Sequence, residues 1–129
     1  MQGRALLVDD EPNILTTLSL ILKSEGFEVQ TAESAHSSKQ YLRKFTFDLL
    51  ITDLSLEQPH SGFELVRIAN LQPSRPASVV ISAFHDLLVH WQECGADAGM
   101  QKPTEVAELL ATISRLLTNR AKENGKDAA

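Results

Sequence analysis

The chain has 129 residues, 43% of them apolar and 22% charged, which is enough for one hydrophobic core and too little for two full domains. A formal charge of -5 without any Lys/Arg cluster argues against direct nucleic-acid binding, because neutralising phosphates takes a concentrated basic face. The single cysteine, Cys94, excludes an intramolecular disulfide, and there is neither a signal peptide nor an apolar run near the ~20 residues that span a bilayer, so a cytoplasmic location without membrane contact is expected.

Short apolar runs alternate with stretches of helical period along the chain. The first strand is ALLVD (5–9), and the acids Asp9, Asp10 and Glu11 follow without a break before Pro12. Ile14, Leu15, Leu18, Ile21 and Leu22 then recur at helical spacing, with Pro12 suited to a first turn and Gly26 to the exit. A second strand, FEVQT (27–31), precedes a helix marked by Ala35, Tyr41, Leu42 and Phe45. The third strand, DLLITD (48–53), ends on Asp53 and leads through Gly62 to a helix carrying Phe63, Leu65, Val66 and Ala69. The fourth, SVVIS (78–82), ends on Ser82, and a helix is expected from Leu87 to Cys94 before Gly95. The fifth, AGMQK (98–102), ends on Lys102 ahead of Pro103, and Val106, Leu109, Leu110, Ile113 and Leu117 form the stripe of a last amphipathic helix. Beyond Thr118 the run NRAKENGKDAA has no apolar period. The chain therefore divides into a domain over 1–118 and a mobile charged tail or linker stub over 119–129.

Five such units predict an α/β fold, a doubly wound sandwich whose parallel five-stranded sheet has the order 2-1-3-4-5 and is covered by five helices. In such sheets ligands bind beyond the carboxyl ends of the strands where the order reverses, between the first and third strands. Asp9, Asp10 and Asp53 all stand there. Two unit charges 5 Å apart repel by roughly 3 kcal/mol at an effective dielectric of 20, so three carboxylates in one crevice require a cation, or else one or more of them holds a proton. Mg²⁺, which prefers hard oxygen ligands, is one answer, and the ammonium of Lys102 is a compatible second.

Taken together and in order, LLVDDEP, LLITDLSL, VVISA and QKP resemble the receiver domain of two-component response regulators, over about residues 4–117. The resemblance implies a flavodoxin-like, chemotaxis-regulator-like fold in a bacterial phosphorelay. It matches Asp53 to the aspartate that accepts a phosphoryl group from a histidine kinase or phosphotransfer protein. Asp10 matches a direct Mg²⁺ ligand, Asp9 an acid contacting the ion mainly through water, and the backbone carbonyl of Ser55 the remaining protein ligand beside Asp53. Ser82 matches a switch hydroxyl and Lys102 the lysine that pairs with the aspartate or its phosphate. The resemblance implies a signalling domain rather than an enzyme, one that takes part only in its own phosphotransfer and autodephosphorylation, with an effector domain or partner protein for output. A weak homodimer through the exposed edge of the last helix is a further partner expectation.

Other readings carry less. His90 and Cys94 stand four apart but lack two further ligands for a metal, His36, His60 and His85 have no better set, and Trp91 reads as a half-buried helix aromatic. Glu11 reads as an acid favourable at a helix N-terminus. An aspartyl phosphatase is disfavoured because those enzymes generally place the nucleophile on the first strand with a second acid two positions on, whereas Asp9 and Asp10 are adjacent. The alternative retained is a receiver-shaped binding module that no longer switches. It is suggested by Gly99, where receivers commonly carry an aromatic residue, so that the usual aromatic coupling is not expected to operate. The segment from Ser82 to Gly95 is shorter than usual, which suggests a truncated or displaced fourth helix, Glu57 stands where a proline is frequent, EQPHSG is a residue longer than usual, and Thr104 is a candidate N-cap for the last helix.

Overall fold

The computed structural model describes residues 3–58, 61–84, 88–89 and 91–128. In chain order these form β1 (Gly3–Val8), α1 (Pro12–Ser24), β2 (Phe27–Ala32), α2 (Ala35–Lys44), β3 (Leu49–Asp53), α3 (Ser61–Asn70), β4 (Ala77–Ser82), a 3-10 turn (Trp91–Cys94), β5 (Ala98–Gln101) and α4 (Val106–Ala128). All five strands pair in parallel in the order β2-β1-β3-β4-β5, as expected.

The apolar runs are nearly continuous because both faces of the sheet are covered. Side chains alternate between the faces at the strand period of two. Leu6, Val8, Leu50 and Val80 pack with Leu42, Phe63, Leu65 and Val66 on one side. Ala5, Leu7, Leu49, Ile51, Val79 and Ile81 pack with Leu15, Leu22, Leu109 and Ile113 on the other. Among the described residues no helix is long and apolar enough to cross a membrane.

Three expectations are corrected. Within the expected helix Leu87–Cys94, Leu88 is helical, its amide donating to the Phe84 carbonyl at 3.3 Å, but Trp91–Cys94 winds as a 3-10 turn, and the described residues give four complete α-helices where five were expected; Leu87 and His90 lie outside the described residues. Buried Leu88, half-buried Trp91 and buried Cys94, three residues apart, all pack against the core, and Gly95 ends the 3-10 turn directly after Cys94. Secondly, α4 does not stop near Thr118, where its apolar stripe ends, but runs as one backbone helix to Ala128. Thirdly, α4 starts at Val106, and the Glu105 carbonyl accepts from the Leu109 amide at 2.9 Å, so the N-cap position falls one residue past Thr104.

Candidate functional site

At the carboxyl edge of the sheet, β1 and β3 deliver their terminal acids into one crevice. Asp9 is anchored on both sides: its amide donates to the Ala32 carbonyl at 3.1 Å, and its Oδ1 accepts from the Glu11 amide at 2.9 Å. Asp53 ends β3, and its Oδ1 accepts from the Ser55 amide at 2.9 Å, which folds the chain back against the carboxylate. Asp9 and Asp53 are buried, whereas Asp10 faces solvent. Each of these three acids offers an oxygen within 4.8 Å of the others.

Lys102 supplies the cation. Its amide donates to the Ser82 carbonyl at 2.9 Å, fixing the backbone where β4 and β5 end. Its Nζ lies 2.7 Å from Asp53 Oδ2, 2.8 Å from Asp9 Oδ2 and 3.6 Å from Glu11 Oε1. Glu11, read from sequence as a helix-end acid, thus also borders the site. Burial by itself would lower the Lys102 pKa, but hydrogen bonds to Asp53 and Asp9 and the charges behind them hold it above the ordinary lysine value. For Asp9 burial is the larger effect, and its carboxyl lies above the ordinary aspartate value despite Lys102 and the Glu11 amide.

The other expected residues stand at the same edge. Ser82 is fully buried, and its hydroxyl accepts from the Phe84 amide at 2.9 Å. Ser55 directly follows the end of β3 by two residues and is tied to Asp53 as described. The start of α3 presses on this loop: a Cβ added to Gly62 would sit 2.2 Å from the Asp53 carbonyl oxygen and 2.6 Å from Leu54 Cα, so no larger residue fits. Asp9, Asp10, Asp53 and Lys102 are therefore brought together, while His36 is not among the metal-capable groups. His60, His85 and His90 lie outside the described residues.

Two contacts had no reading in the sequence. Trp91, on the 3-10 turn, lays its indole over Gly99, whose missing side chain makes room for it; a Cβ there would meet the ring at 2.7 Å. Glu57, four residues past Asp53, reaches the start of α2, where Oε1 accepts from the Ala35 amide at 2.7 Å and Oε2 from the His36 amide at 3.1 Å. What burial adds to its pKa is outweighed by these amide bonds, and the Glu57 carboxyl lies below its ordinary range. The signal available beforehand was an acid in place of a proline.

An apolar groove of about 520 Å³ opens beside the acids, between α1 and the segment after Lys102, lined by Ile14, Leu18, Ile21, Ile81, Pro103 and Val106 among others.

Comparison with known proteins points the same way. Residues 5–114 match the family model described as response regulator receiver domain. The alginate biosynthesis transcriptional regulatory protein AlgB of Pseudomonas putida is 36% identical over 118 residues, 89% of this chain and 26% of that protein, so the chain spans about a quarter of the relative's length. A CheY-like response regulator receiver domain protein from Methanospirillum hungatei superposes with a TM-score of 0.85 at 28% identity, covering 95% of this chain and 99% of that one. The response regulator TrrA from Thermotoga maritima, solved in complex with Mg²⁺ and BeF, gives a TM-score of 0.78 at 28% identity over 90% of this chain and 99% of that one.

Proposed function

The chain belongs to the response regulator receiver domain family, and from that premise we propose that Asp53 is the residue phosphorylated, by a histidine kinase or phosphotransfer protein. The observation that carries the assignment is the Lys102 ammonium, bound by Asp53 at 2.7 Å and by Asp9 at 2.8 Å in a crevice that also holds Asp10. An Asp53 carboxylate oxygen attacks the phosphorus of a phosphohistidine; the O–P bond forms as the N–P bond breaks, and its electron pair leaves on the imidazole nitrogen. Lys102 meets the incoming negative charge from the side where it already holds Asp53.

The donor set suits a hard divalent cation, being carboxylate oxygens within 4.8 Å of one another at an edge that is partly open through Asp10. Asp9, Asp10, Asp53 and the Ser55 carbonyl would hold Mg²⁺. When bound, the ion supplies positive charge that offsets the oxygens of the transferring phosphoryl group. Once Asp53 is modified, the added charge and acceptor oxygens draw on Lys102 and on the Ser82 hydroxyl, whose oxygen accepts from the Phe84 amide and whose O–H is the donor for a phosphoryl oxygen, and this shifts the population of two backbone arrangements. The groove between α1 and Pro103 is the proposed seat of the phosphodonor, because it is apolar and opens on Lys102 and Glu11. Output passes to an effector domain or partner protein, and the domain's role is that of a signalling component.

Incubation of the protein with a small-molecule phosphodonor should add one phosphoryl group in a Mg²⁺-dependent manner, with no addition to Asp53→Asn. An unmodified wild type, or an Asp53→Asn protein modified equally, rules the assignment out. The second reading, a receiver-shaped binding module that does not switch, draws on Gly99 being covered by Trp91. It gains if phosphorylation leaves the amide spectrum from Ser82 to Lys102 unchanged.

A further inference from the structure

The amides that begin α2 are fully partnered, and the partners come from two places. Within the helix, the Ser34 hydroxyl accepts from the Ser37 amide at 3.1 Å, and the Ser34 carbonyl accepts from the Ser38 amide at 3.1 Å. The first two amides, of Ala35 and His36, are taken by both carboxylate oxygens of Glu57, a residue 22 and 21 positions away. A carboxylate at a helix N-terminus gains from charge-assisted bonds and from the aligned peptide dipoles.

Glu57 belongs to the loop that leaves Asp53, two residues beyond Ser55. That loop is tied at its near end by the Ser55 amide to Asp53 Oδ1 at 2.9 Å. At its far end the Gln58 amide donates to Ser61 Oγ at 2.9 Å, and the Gly62 amide to the Leu54 carbonyl at 3.1 Å. Between these ties Leu56 is buried in the same apolar cluster as Ala35. Glu57 adds two polar bonds from the loop to α2 at this point. The Leu54 amide ties the start of the loop to the Ile81 carbonyl of β4 at 2.9 Å, so what Glu57 adds is the polar link of the stretch carrying the Ser55 carbonyl to α2.

We propose that Glu57 is a positioning residue for the acidic site: it clamps the loop after Asp53 to the N-terminus of α2, holds the Ser55 carbonyl in place for a divalent cation, and links the state of the site to α2. The inference rests on the function proposed above. It does not require Glu57 to touch the ion or the phosphoryl group.

The test measures Mg²⁺ binding by calorimetry on the full chain in wild type, Glu57→Ala, Glu57→Gln and Ser34→Ala, with amide spectra recorded along the titration. Ser34→Ala weakens the same helix start without releasing the loop, so it separates a clamp from general loss of stability. Glu57→Ala should raise the Mg²⁺ Kd roughly tenfold, the scale on which residues supporting metal ligands act. Glu57→Gln, which keeps one acceptor oxygen and turns an NH₂ toward the other amide, should fall between that and wild type. Ser34→Ala should stay within about twofold of wild type, on the premise that weakening the cap alone does not move the ligands. Mg²⁺ should shift the Ala35 and His36 amide resonances in wild type and leave them unmoved in Glu57→Ala. Unchanged Mg²⁺ affinity in Glu57→Ala, or an equal loss in Ser34→Ala, overturns the clamp while leaving the phosphoacceptor assignment intact. Absence of Mg²⁺ binding by the wild type overturns both.

Discussion

At the scale of single residues, the charge balance of the crevice turns on Lys102. Its side chain is 10% exposed and the two carboxylates it binds are 2% and 8% exposed, so these pairs act with little screening by solvent. Because its pKa in the fold lies above 10.5, the stabilisation from Lys102 is complete below that pH and is lost only as the pH rises through the higher folded value. Asp9 behaves in the opposite sense to a salt-bridged acid: with its pKa raised above 3.8, its contribution favours the fold at low pH and diminishes as it ionises. Lys102→Met leaves two buried carboxylates without their cation and should cost about 3 kcal/mol at pH 7, the scale for breaking a buried pair. The loss should shrink as the pH falls and Asp9 takes up a proton. Denaturant titrations at pH 7 and pH 5 measure both quantities, and equal stability of mutant and wild type at pH 7 would refute the argument. Sequence reading identified Asp9, Asp10, Asp53 and Lys102 because each stands at a strand end, where a parallel sheet gathers side chains. It did not identify the Glu57 contacts, since a link across 22 positions leaves no local pattern.

At the scale of elements, the segment between β4 and β5 departs most from the periodic reading. Trp91 and Gly99 belong together: the indole occupies the space that any side chain at 99 would need, at 2.7 Å from an added Cβ. Gly99→Ala therefore has to displace the ring, at a cost on the order of 1–3 kcal/mol. Trp91 is the single tryptophan of the chain, so its emission reports directly. The spectrum should move to longer wavelength as the ring gains solvent, and an unchanged spectrum would show that the packing yields some other way. The same segment shows why a helix was expected. Leu88, Trp91 and Cys94 are apolar and close in sequence, and a spacing of three puts residues on one side of either an α-helix or a 3-10 turn, so the pattern alone does not choose between them. In α1, by contrast, Leu15 and Leu22 are buried seven positions apart, which an α-helix alone satisfies over two turns.

At the scale of the whole molecule, the crevice is a product of strand order. The acids of β1 and β3 meet because those strands are neighbours, paired from Ala5 with Leu49 to Val8 with Thr52, and Lys102 joins them from the far edge strand through a long side chain. A divalent cation that binds the folded crevice and not the unfolded chain should stabilise the protein, by about 2.7 kcal/mol at a hundred times its Kd. A rise in melting temperature with Mg²⁺, abolished in Asp10→Asn, is the expected result; an equal rise in that variant would remove Asp10 from the ligand set. The alternation of apolar runs with helical periods determined the α/β class, the five strands and the acidic strand ends, because burial on both faces of a parallel sheet writes itself into consecutive residues. Only the tertiary structure decided that Lys102, expected to pair with Asp53, also takes Asp9, that Trp91 fills the place of the side chain Gly99 lacks, and that Glu57 caps a helix two elements away. Those contacts join residues distant along the chain, and nothing in the local pattern of either partner records the distance between them.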